Sequence, residues 1–495
     1  MARNAEEIVD LTPLAGRQIG IGARIGWLLR TWRVSSGTSL RTIVKRLGGA
    51  YSAATLSRIE TNAVRNGTAI DAYETALGLP HGALRVPVEV LCRTYSYSPT
   101  DLSPYRPPAS LDDFTAVVAA VCDRPTAGNW LRFAEHHSDG PFGLPAGSVR
   151  PLVSQLASEL GRGLGAAYYC RYEALARLRC GLYADVVLDV VREQVLADGA
   201  QRPFDLMSAV SEHPTPELMT WFGELLLTSD SVPLFRATCL GIQNVRGVGG
   251  LGERDWSAMV PAYAEACRRY AEDEARGETL VNTLAACPPE FRRRVAALLD
   301  WPLPPQRRPR SWTADRRNVH FRYACEIAAE VARGRPGEPM LARLVFELIF
   351  DFRAANAVTS AFLLGASVFA EDLVAALESV SLHGPDVTTR HGAGSAFGNL
   401  MLPPRTSDVE PWLSSDDPVI QQTGLALAGY GGIRLDATRL RRYLGGGPNL
   451  AGRALFSAGM SEHPALADVA RDTSLPRDIR QGAAWWLEEG GRVLR

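Results

Sequence analysis

The chain has 495 residues, 46% of them hydrophobic and 22% charged, with a formal net charge of −1. Such a composition excludes a fibrous or disordered class and leaves room for two or three packed cores. The opening MARNAEEIVD carries acids and lacks an apolar run, so a secretory leader is not expected.

The near-neutral total hides an asymmetry. Between Gly16 and Asn66, nine basic residues (Arg17, Arg24, Arg30, Arg33, Arg41, Lys45, Arg46, Arg58 and Arg65) face one acid, Glu60. Nine against one is a local +8, so the rest of the chain is acidic. A compact basic segment fused to an acidic body is the electrostatic footprint of a nucleic-acid binder.

This segment also reads as short helices. Ile21, Ile25, Leu28, Leu29 and Trp32 share one face of a helix over 20–32. Ser35-Ser-Gly-Thr38 breaks it. Thr38 or Ser39 can then cap a second helix over 40–47, which Gly48-Gly49 stops. Ser52 caps a third over 53–60, with Leu56 and Ile59 inward, and a fourth runs over 69–77.

The run Ser52-Ala-Ala-Thr-Leu-Ser-Arg-Ile-Glu60, the Leu29-Arg30 pair and the closing Leu77-Gly78-Leu79 resemble the lambda-repressor/Cro-like (XRE-type) helix-turn-helix family. Two turns are longer than the family pattern, one after the first helix and one between Gly48 and Ser52. The resemblance implies a bacterial DNA-binding domain of four or five helices over 19–90, preceded by a tail over 1–18. Its third helix would enter the major groove of double-stranded operator DNA. Carried over by position, Ala53, Ala54, Thr55 and Arg58 would meet base edges, with Ser57 also in the DNA-binding set. Arg58 is the expected base reader, because a guanidinium pairs bidentately with guanine for about 1–3 kcal/mol of discrimination. Ser39, Arg41, Ser52, Asn62 and Arg65 would hold phosphates. Glu60 would be repelled by DNA and is expected to pair with Arg30 across the first and third helices. Such modules bind as dimers on two half-sites, so a homodimer is implied.

Residues 91–109, rich in Pro, Ser and Tyr, read as a linker. Beyond it nearly every periodic segment is helical, beginning with a capping box at Ser110-Leu-Asp-Asp113. Helices are expected over 151–162, 166–180, 183–197, 216–228, 257–274, 291–300, 319–333, 339–352 and 371–380, so the fold class is all-α. A Pro/Arg segment over 302–311 separates a helical subdomain over 110–301 from another over 312–495. In the second, Pro418, Pro448 and Pro476 each open a helix carrying small residues, and Ser-Glu-His-Pro occurs at both 211–214 and 461–464. The pattern is similar to HEAT-type repeats and implies an α-solenoid body.

Other motifs carry less. Gly247-Val-Gly-Gly-Leu-Gly252 fits GxGxxG but lacks a surrounding βαβ unit and reads as an interhelical loop. His136-His137 with Asp139 reads as a glycine-bounded surface turn rather than a metal site. His213 and His463 precede prolines and read as structural, and Trp485-Trp486 as core. The eight cysteines form no CxxC pair, which suits a reduced, cytoplasmic setting without metal. The uncharged stretch Ala354–Ala370 falls short of the ~20 apolar residues that span a bilayer and reads as a packed helix, with no membrane partner. No GxSxG, Walker A or HExxH pattern occurs, so neither an enzyme nor a cofactor is expected. The expectation is a DNA-binding transcriptional regulator whose body supplies dimer contacts and takes a peptide, small-molecule or protein effector. The alternative is a DNA-anchored protein-interaction scaffold of low sequence specificity.

Overall fold

The computed structural model describes residues 20–61, 68–95, 110–123, 125–139, 142–299, 301, 314–335, 339–351 and 354–495. Asn62, Arg65, the 1–18 tail and the 302–311 segment lie outside them. Every element among the described residues is helical, and the one β-bridge joins Gly163 to Val493. The fold class is all-α, as the sequence leads one to expect.

Five helices form the N-terminal unit: α1 (Ile21–Ser35), α2 (Leu40–Arg46), α3 (Ala53–Glu60), α4 (Thr68–Leu77) and α5 (Arg85–Thr94). Leu28, Leu29, Ile43, Leu56 and Tyr73 are fully buried between them, so the apolar spacing in the sequence does become one core. α5 is buried along Arg85–Cys92 and packs against the body. Residues 91–95, expected in the linker, therefore belong to this helix and the turn after it; 96–109 lie outside the described residues.

The body begins with α6 (Leu111–Asp123), whose Ser110 hydroxyl accepts the Asp113 amide at 3.2 Å as the capping box requires. It continues through α7 (Ala127–Asp139), α8 (Ala146–Leu160), α9 (Ala166–Cys180), α10 (Ala184–Leu196) and α11 (Pro203–Ser211). Next come α12 (Pro216–Thr228), α13 (Val232–Val248), α14 (Glu253–Arg269), α15 (Glu274–Ala286) and α16 (Pro289–Ala297). The odd-numbered helices pack in order from α7 to α15, while α8 with α10, and α12 with α14 and α16, cover them. α9 is the hub, buried on nearly every side and in contact with α5, α7, α8, α10 and α11.

The second half starts with α17 (Ala314–Ala332), α18 (Pro339–Phe350), α19 (Ala354–Gly365), α20 (Ala370–His383) and α21 (Val387–Leu400). The uncharged stretch is thus the buried α19, and no helix among the described residues is long and apolar enough to cross a membrane. The halves meet where Tyr168, Tyr169 and Tyr172 of α9 surround Phe362 of α19, the nearest ring at 4.7 Å.

The repeating segment comprises α22 (Glu410–Leu413), α23 (Pro418–Gly431), α24 (Ala437–Leu444), α25 (Pro448–Met460), α26 (Leu466–Arg471) and α27 (Arg477–Glu489). Proline opens α23 and α25 and precedes α27, where its missing N–H has no intrahelical use. α21, α23, α25 and α27 pack in succession. Glycine makes the close stacking work: Gly429 seats the ring of Phe456, and Gly459 seats that of Trp486. The terminal segment then returns to the first half, where Val493 donates to the Arg162 carbonyl at 2.8 Å.

A Cβ on Gly459 would lie 1.9 Å from the Trp486 ring. Gly459→Ala should therefore cost about 1–3 kcal/mol through overpacking, read by denaturant unfolding of the full chain. Unchanged stability would contradict this seat.

Candidate nucleic-acid interface

α2 and α3 are each started by a serine. Ser39 accepts the Thr42 amide at 3.1 Å, and Ser52 accepts the Thr55 amide at 3.0 Å. Both hydroxyls expected on phosphates thus serve as helix caps here. Gly48 and Gly49 join the two helices at φ of 61° and 81°, a region costly for other residues. α3 crosses α1 at Gly26, where an added Cβ would come 2.5 Å from the Glu60 carbonyl oxygen.

This crossing fixes which residues face outward. Ser52, Ala54, Ser57, Arg58 and Thr61 are exposed along α3, with Ala53 and Thr55 half-buried. Arg41 and Lys45 are exposed on α2, and Arg46 donates to the Ala76 carbonyl at 2.7 Å. Arg41, Lys45 and Arg46 of α2 and Arg58 of α3 are thus exposed cations among small and hydroxyl side chains.

Glu60 is not among the exposed groups. It is 5% exposed and grips Arg33, accepting from Nε at 2.6 Å and Nη2 at 2.7 Å. It also accepts the Tyr73 hydroxyl at 2.6 Å. The expected Arg30–Glu60 pair is thus replaced by Arg33–Glu60. The physical reason is that α1 runs on to Ser35 instead of ending near Trp32, which places Arg33 over the end of α3. Burial, reinforced by Glu60, holds the Tyr73 hydroxyl protonated far above its ordinary range.

The other side of α1 is bolted to the body. Arg24, 2% exposed, makes two 2.7 Å bonds to the Glu347 carboxylate of α18. Arg343 donates to the same carboxylate at 2.7 Å, and Ser360 of α19 also donates to it. Burial alone would raise the Glu347 carboxyl; Arg24, then Arg343 and Ser360, outweigh it and bring it down to about 2. Trp27 stacks on Phe369, and the Trp32 indole donates to the Ala366 carbonyl at 2.8 Å.

α5 adds a ladder of buried charges. Arg93 donates to Glu173 of α9 at 3.0 Å and also engages Glu212, while Arg177 of α9 bridges Glu173 at 2.7 Å and Glu89 at 3.1 Å. Splitting 85–94 between the DNA-binding domain and the linker misses this; the signal is the four-residue spacing of Arg85, Glu89 and Arg93.

His136 and His137 do not sit on a surface turn. Both are buried within α7, where His137 pairs with the Phe133 carbonyl at 2.8 Å. Among the described residues no group of three His, Cys, Asp or Glu could hold a metal. His463 bonds the Leu435 carbonyl at 2.7 Å, and Trp486 is core. An open hollow of about 570 Å³ lies between α13 and α15, lined by Arg236, Gln243, Glu274, Glu278 and Thr279.

Comparison with family models, curated proteins and solved structures finds no match to this chain.

Glu347→Gln removes the carboxylate that Arg24 and Arg343 share and should cost about 3–5 kcal/mol at neutral pH, measured by denaturant unfolding. The folded carboxyl titrates below its ordinary 4.5. The wild-type advantage should therefore be full above that pH and fade as pH falls toward 2. A loss under about 1 kcal/mol, or one independent of acid, would refute the anchor.

Proposed function

We propose that this protein is a sequence-specific DNA-binding transcriptional regulator whose α3 enters the major groove as the recognition helix of an XRE-type helix-turn-helix. One observation carries the reading: the α2–α3 surface keeps its cations exposed, while Glu60, the one acid of the basic segment, is buried against Arg33 and Tyr73. A polyanion meets attraction there without a compensating repulsion. The resemblance carried by Ser52–Glu60 assigns Arg58 to base edges and Arg41 to phosphate; Lys45 on the same surface joins Arg41.

The helical body, read as a HEAT-like α-solenoid, supplies the dimer contacts and takes the effector, whether peptide, small molecule or protein. The successive packing of α21, α23, α25 and α27 supports that architecture. Docking of α1 and α5 on the body supports communication between the two parts, because neither can shift without breaking buried ion pairs.

One observation favours the second reading, a DNA-anchored interaction scaffold of low specificity. Ala53 and Ala54 offer no hydrogen bond, so α3 brings few groups able to read bases.

Arg58→Ala decides between them. A regulator should lose about tenfold or more in affinity for its selected site and much less for random duplex. Arg41→Ala should weaken both alike and flatten the salt dependence by about one unit of slope. Equal loss on both duplexes from Arg58→Ala would sink the base-reading role and leave the scaffold.

A further inference from the structure

The joint between the α1–α4 unit and the body is a short turn, 78–84, in which Gly78 and Gly82 adopt φ of 66° and 85°. Glu74 of α4 builds this turn. Its carboxylate accepts the amides of Gly82 at 3.1 Å, Leu84 at 2.7 Å and Arg85 at 2.8 Å. His81 lies in the same turn, between two carboxylates of different origin. Its Nε2 is 2.7 Å from Glu135 of α7, on the body, and its Nδ1 is 4.0 Å from Glu74. Glu135 is fully buried, and its second oxygen has no hydrogen-bond partner in the structure.

We propose that His81 is a proton-operated pin of this joint: charged, it ties Glu135 of the body to the turn that Glu74 builds; neutral, it releases the 78–84 turn from α7, while α1 stays anchored through Arg24. An imidazolium places its charge against both buried carboxylates, bonded to Glu135 and 4.0 Å from Glu74. A neutral ring donates to one of them and offers the other no counter-charge. The other charges around the joint are already engaged, including Arg177, which also acts on Glu135. Arg85 of α5 is engaged with Asp71 and Glu89, and Arg177 of α9 with Glu173 and Glu89. Arg132 of α7 is exposed and acts on His81 in the opposite sense, while Cys170 of α9 is a buried thiol. Neighbouring His136 is itself held toward its neutral form by burial.

The titration supports this geometry. Burial pulls the His81 ring down, but Glu135 and then Glu74 outweigh it, so it holds its proton above the ordinary 6.5. Burial likewise raises the Glu74 carboxyl, against the three amides that lower it. A raised folded value means that the contribution is complete below about 6.5 and is lost as pH rises through the folded one.

The test follows amide exchange of segment 78–85 in the full chain from pH 6 to 9, corrected for intrinsic exchange, beside histidine-ring NMR. In the wild type, protection of this segment should fall as pH rises through that range and level off once the ring is neutral. In His81→Gln it should start low and stay level, and Glu135→Gln should bring the ring's titration down. Wild-type protection that is level over this range would overturn the proposal. So would a His81 ring titrating at or below 6.5, or the same pH response in His81→Gln. Should His81→Gln not fold, the wild-type exchange and ring titration still decide.

Discussion

The arrangement of the N-terminal unit depends on one buried carboxylate. Glu347 is shared by Arg24 from α1, Arg343 from its own helix and Ser360 from α19, all out of contact with water. Net stability is not the main consequence of such a cluster, because desolvating three ions offsets much of their attraction. Its consequence is register. A bidentate pair in a low-dielectric interior has one good geometry, and α1 slid by a turn would bury Arg24 away from Glu347. Since α3 crosses α1 in backbone contact at Gly26, the outward face of α3 inherits that register.

The same logic extends inward. α5 enters the body with Arg85, Glu89 and Arg93 on one stripe, and the body answers with Arg177, Glu173 and Glu212. Around this polar seam lie apolar contacts that tolerate little change, such as Gly365, where a Cβ would meet the Tyr169 hydroxyl at 2.0 Å. Charges specify where the N-terminal unit sits, and close packing between α9 and α19 keeps the halves from sliding past each other. The basic surface of α2 and α3 is therefore presented by a scaffold rather than carried on a free tether.

Much of this was legible in the sequence wherever one side of an element faces water. Leu28, Leu29, Leu56 and Ile59 mark their helices by periodicity, Ser52 marks its cap, and Pro418 and Pro448 mark helix starts. Legibility fails where a helix is covered on several sides. α7, α11 and α13 carry no clean polar stripe to read, and His136-His137 within α7 looks like a surface turn for that reason. α8 starts at Ala146 and carries Pro151 inside it, one turn beyond the position where proline is free of cost, so a proline read as a helix start lies within the helix. The candidate surface was legible as a set of residues, but its electrostatics was not. Which arginine neutralises Glu60 depends on whether α1 ends at Trp32 or Ser35, a difference of one turn that local sequence does not determine. α5 was hidden for a different reason: the linker was expected to begin at 91, and the partners of Glu89 and Arg93 include the distant Glu173, Arg177 and Glu212.

The most direct test of the central claim, that the α2–α3 surface is a DNA-reading face, is selection of duplexes from a random library by the full-length chain. It is followed by the affinity for the enriched duplex across a salt series. A DNA-reading face should give a short shared motif and an affinity that falls linearly with salt on logarithmic axes, at about 0.9 of a slope unit per phosphate contacted. Failure to retain any duplex even at low salt would contradict it.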